Sequence, residues 1–84
     1  MQTLVADDDP MMRELIAAAL RQRGHAVAVA EDGAAALRRI AADRPSLIVL
    51  DWQMPATDGL AVLRQVRDDE ASRSAFVLMV TAQD

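Results

Sequence analysis

Asp7, Asp8, Asp51 and Thr81 are the residues of this chain whose types and settings suit chemistry at a metal ion or at phosphorus. Asp7 and Asp8 begin a run of three acids directly after the apolar Leu4-Val5-Ala6. Asp51 follows the aliphatic run Leu47-Ile48-Val49-Leu50, and Thr81 follows Phe76 to Val80. If these runs are parallel strands of one sheet, their carboxyl ends share an edge, which is where open α/β sheets place their ligand crevices. Three carboxylates gathered there repel one another unless a proton or cation compensates. A hard divalent ion such as Mg²⁺, which prefers oxygen ligands and keeps several waters, meets that need. A carboxylate beside such an ion is placed to attack an electrophilic phosphorus and form an acyl phosphate. The Thr81 hydroxyl is then placed to hydrogen-bond a phosphoryl oxygen. Taken alone, Asp7-Asp8 reads equally well as an acidic turn capping a helix, and Thr81 as the end of a strand. Their common placement with Asp51 favours the pocket.

The elements that must position these residues follow from hydrophobic periodicity. After the first apolar run, Pro10 suits the first turn of a helix, where no amide donor is needed, and Asp9 is its expected cap. Met12, Leu15, Ile16, Ala19 and Leu20 recur at helical spacing, with Arg13, Glu14, Arg21 and Gln22 on the opposite side and Gly24 as the stop. Ala26 to Ala30 reads as a weak strand and Glu31-Asp32-Gly33 as a turn. Ala36, Leu37, Ile40 and Ala41 form a second helical stripe that ends before Pro45. The unbroken run Leu47–Leu50 is that of a parallel strand buried on both faces. Asp58 is the expected cap of a third helix that buries Leu60, Leu63 and Val66 and frays at Asp68-Asp69-Glu70. Phe76 to Val80 is the fourth strand. The order β-α-β-α-β-α-β predicts one α/β domain over residues 1–84, a parallel sheet with helices on both faces.

Composition excludes several classes of function. The chain has no cysteine, so a disulfide or thiolate metal site is absent. A formal charge of −4 and a pI near 4.7 argue against direct nucleic-acid binding, which draws on a positive surface. No apolar run approaches the ~20 residues of a membrane span. The N-terminus lacks the basic start and long apolar core of a signal peptide, which implies a cytoplasmic protein. All nine basic residues counted as Lys or Arg are arginine. His25, the only histidine, follows Gly24 in a turn and reads as a solvated surface residue. Trp52 reads as a partly exposed rim residue after the third strand.

Three segments carry a family resemblance: Val5-Ala6-Asp7-Asp8-Asp9-Pro10, Asp51-Trp52-Gln53-Met54-Pro55-Ala56-Thr57-Asp58-Gly59 and Met79-Val80-Thr81-Ala82. Together with Glu31-Asp32-Gly33 and Ala36-Leu37, and with matching spacing, they resemble the signatures of response-regulator receiver domains. The resemblance implies a flavodoxin-like fold and a role in a two-component phosphorelay. Asp51 would be the phosphoacceptor and Thr81 the switch hydroxyl. Mg²⁺, for which Mn²⁺ is expected to substitute, would be bound directly by Asp8 and Asp51, through a water by Asp7, and by the backbone carbonyl of Gln53. The implied partner is a sensor histidine kinase or phosphotransfer protein. Phosphate would be accepted from its phosphohistidine by self-catalysis, without turnover of an external substrate.

The chain also departs from the family. Receivers continue after the switch hydroxyl with two more helices and a fifth strand bearing a lysine, and here the sequence ends near Thr81 and contains no lysine. Strand four is therefore expected to be an exposed edge, a template for pairing with another chain, and a homo-oligomer through that edge is expected. The alternative function is an oligomeric structural or interaction fragment that keeps metal binding without productive signalling. A phosphatase of the haloacid dehalogenase type would place a second Asp two residues after the first, where this chain has Gln53.

Overall fold

In the computed structural model, residues 2–51, 59–70 and 72–80 are described. Seven elements alternate along them: β1 (Gln2–Ala6), α1 (Pro10–Gln22), β2 (Ala26–Ala30), α2 (Gly33–Asp43), β3 (Leu47–Asp51), α3 (Gly59–Asp68) and β4 (Phe76–Val80). The four strands pair in parallel in the order β2-β1-β3-β4, which is that of the flavodoxin-like fold implied by the resemblance. The chain leaves β1 towards β2, then crosses back over β1 to reach β3. Right-handed crossovers consequently put α1 on one face of the sheet and α2 on the other.

Alternation along the strands divides the core accordingly. Leu4, Ala6, Ala30, Ile48 and Leu50 pack with Ala36 and Ile40 of α2 and Val62 and Val66 of α3. Val5 and Val49, also buried, point to the opposite face, where Ala17 is the buried residue of α1. The central strands β1 and β3 are thus covered on both sides, the reason Leu47–Leu50 is uniformly aliphatic.

Local signals fix most element ends. Asp9 caps α1, its Oδ1 accepting from the Met11 amide at 3.0 Å, with Pro10 at the first helical position. Asp32, expected only as part of a turn, caps α2 by accepting from the Ala35 amide at 2.8 Å. Helix α2 closes on Arg44 in the left-handed conformation, φ 47°, directly before Pro45. Beyond α3, Arg67 Nη1 donates to the carbonyls of Arg73 and Ala75 at 2.6 and 2.7 Å, and Ser72 Oγ to that of Val66 at 2.9 Å. These bonds latch the turn that delivers the chain into β4.

Two expected stripes are corrected. In α3 the buried line is Gly59, Val62 and Val66, while Leu60 is exposed and Leu63 half-buried. In α1 the buried centre is Ala17, with Leu15 65% exposed and Ala19 exposed. Both helices carry overlapping apolar stripes, and burial follows only one of them: Ala17 in α1, and the line of Val62 and Val66 in α3. His25 is also corrected: it is half-buried, with Nδ1 2.8 Å from Oγ1 of the buried Thr3. The expected Asp58 cap and the Trp52 rim lie outside the described residues.

Candidate functional site

Because β1 and β3 are neighbours whose connections leave in opposite directions, the crevice between their carboxyl ends is the switch point of the sheet. The register Ala6↔Leu50 sets the next residues, Asp7 and Asp51, side by side, and Asp51 pairs in turn with Val80. Asp7, Asp8 and Asp51 each offer a carboxylate oxygen, and these oxygens all lie within 4.8 Å of one another. Asp7 is buried, Asp51 half-buried and Asp8 exposed. Gln53 and Thr81, the other expected site residues, lie outside the described residues.

The acidic loop is held from several directions. The Asp7 amide donates to the Ala30 carbonyl at 3.1 Å, prolonging the β1–β2 pairing by one residue. Its Oδ1 accepts from the Asp9 amide at 2.9 Å, so one carboxylate oxygen serves the turn itself. Its carbonyl accepts from Arg13 Nη1 at 3.0 Å. Arg13, placed by its polarity on the outer side of α1, is instead half-buried on the line of Ile16, Ala17 and Leu20 and turned back to the loop. Its position one helical turn after the Asp9 cap was the available signal, and polarity masked it.

Like charges this close repel by about 1 kcal/mol per pair in a water-like medium and about 3.5 kcal/mol at an effective dielectric near 20. A divalent cation relieves that repulsion, and an all-oxygen donor set is the one Mg²⁺ prefers. Oxygens about 2.1 Å from a six-coordinate Mg²⁺ lie about 3–4.2 Å from one another. A spread of up to 4.8 Å therefore suits an ion held partly by carboxylates and partly through water. The donor set fits.

The chain belongs to the response regulator receiver domain family, whose model matches residues 3–84. Among its relatives, response regulator MprA of Mycobacterium avium (strain 104) is 44% identical over 84 residues, all of this chain and 36% of that protein. MprA of Mycobacterium leprae (strain TN) is 42% identical over the same length. The chain thus spans about a third of the length of these curated relatives. Of solved structures, the N-terminal domain of a response regulator receiver protein from Methanoculleus marisnigri JR1 superposes with TM-score 0.91 and 34% identity, covering 98% of this chain and 67% of that one. Response regulator TrrA from Thermotoga maritima, solved in complex with Mg²⁺ and BeF, superposes with TM-score 0.90 and 32% identity, covering 99% of this chain and 70% of that one. Among the described residues no helix is long and apolar enough to cross a membrane.

Proposed function

We propose that this chain is a cytoplasmic phosphoacceptor module of a two-component phosphorelay, with Asp51 as the acceptor and Mg²⁺ as the cofactor, Mn²⁺ substituting. The observation that carries the reading is the convergence of Asp7, Asp8 and Asp51 within 4.8 Å at the switch point of the sheet. An Asp51 carboxylate oxygen attacks the phosphorus of a phosphohistidine on a sensor kinase or phosphotransfer protein. A P–O bond forms, the P–N bond breaks, and the imidazole leaves, giving an acyl phosphate on Asp51. When bound, Mg²⁺ supplies positive charge against the carboxylates and the phosphoryl oxygens. Asp8, exposed and facing the crevice, and Asp51 hold the ion directly. Asp7, whose Oδ1 is already engaged by the Asp9 amide, acts through a water. The family resemblance assigns the Gln53 carbonyl as a further protein ligand and the Thr81 hydroxyl as a hydrogen-bond donor to a phosphoryl oxygen. The reaction is self-catalysed acceptance, with no external substrate turned over.

The test is labelling with a small phosphoramidate donor and Mg²⁺, read by intact mass. The wild type gains one acid- and base-labile phosphoryl group, and Asp51→Asn gains none. Equal labelling of the two proteins refutes the assignment.

A further inference from the structure

We propose that Arg13 is a positioning residue of the acidic pocket, fixing the direction in which Asp8 leaves the backbone. This inference rests on the Mg²⁺-dependent reading above. Three bonds converge on Asp7: its amide to Ala30, its Oδ1 to the Asp9 amide, and its carbonyl to Arg13 Nη1 at 3.0 Å. The first two fix the end of the strand and the turn that follows. The third fixes the carbonyl, and because the peptide unit is planar it fixes the amide of Asp8 as well. Asp8 is exposed, so the plane of its own peptide is the constraint that sets where its side chain leaves the backbone.

The placement of Arg13 follows from the helix. Asp9 caps α1, and the Arg13 amide donates to the Asp9 carbonyl at 2.9 Å in the first turn. From there the half-buried side chain runs back along the inner line of the helix to the strand end. The bond is between a cation and a neutral carbonyl, roughly twice as strong as a neutral pair. The cation is thus attached to the loop backbone, at the Asp7 carbonyl.

Charge and geometry predict opposite signs, which makes the role testable. If Arg13 acted only as a positive charge near the site, removing it would tighten Mg²⁺ binding. If it positions Asp8, removing it weakens binding. The experiment is calorimetric Mg²⁺ titration of the wild type, Arg13→Met and Arg13→Lys, with folding checked by circular dichroism. Arg13→Met is expected to raise the Kd roughly tenfold, the loss of one charge-assisted hydrogen bond from the ordered site. Arg13→Lys, which keeps a charged donor, is expected to stay within about threefold of the wild type. Should Arg13→Met not fold, Arg13→Gln, whose polar side chain tolerates hydration, is read in the same way. Unchanged or tighter binding by a folded variant overturns the positioning role. A wild type that takes up no Mg²⁺ overturns the parent reading and this inference together, and the flat wild-type curve tells that case apart.

Discussion

Replacing Asp8 by Asn removes one member of the carboxylate trio while keeping its size. Asp8 takes part in two of the three repelling pairs, each with oxygens no more than 4.8 Å apart. At that separation each pair repels by about 0.9 kcal/mol in a water-like medium, and more in a drier one. Asp8 is exposed and salt screens it further, so the lower end applies, and the variant is expected to gain about 1–2 kcal/mol in the absence of divalent ions. For a domain of this size, 1 kcal/mol raises Tm by about 4–8 °C. Mg²⁺ is expected to narrow or invert that difference. At ten times its Kd the ion stabilises the wild type by about 1.4 kcal/mol, and Asp8→Asn gains little because a direct ligand is gone. The assay is urea denaturation of both proteins, once with EDTA and once with Mg²⁺. The expected pattern is Asn above Asp without metal, with the difference shrinking or inverting when metal is added. Two results refute the reasoning: an Asn variant less stable than the wild type in EDTA, or an equal Mg²⁺ stabilisation of both.

Three further outcomes follow from local geometry. Asp32→Ala removes the cap that accepts from the Ala35 amide and is expected to cost about 1 kcal/mol, read as a lower urea midpoint at unchanged slope. Arg44→Gly relieves a non-glycine residue at φ 47° and is expected to stabilise by roughly 0.5–1 kcal/mol, so a drop in Tm would contradict it. His25→Ala takes the partner from the buried Thr3 hydroxyl and is expected to cost about 1–3 kcal/mol. The same change in a Thr3→Val background is expected to cost less, and a double-mutant cycle with no coupling would show the bond to be inert.

The sequence alone determined the alternation of strands and helices, the acids at the ends of the first and third strands, and the Asp9 cap. Each of these is written within a few neighbouring residues: an apolar run, an acid before a proline, a glycine at a stop. What tertiary structure decided is which of several locally equivalent options was taken. Helix α3 has apolar residues from Leu60 to Leu63, so two stripes share the same period; contact with α2 and the sheet selected Val62 and Val66 and left Leu60 exposed. In α1 the line nearest the sheet runs through Ala17, and that rotation carried Arg13 inward to the Asp7 carbonyl although its charge pointed to the solvent side. Thr3 and His25 are 22 residues apart and meet only because β1 and β2 pair. The site itself divides the same way. Its residue types are visible in the chain, whereas their meeting depends on β3 crossing over to the far side of β1, a consequence of crossover handedness and burial of both faces of the central strands that no local segment contains.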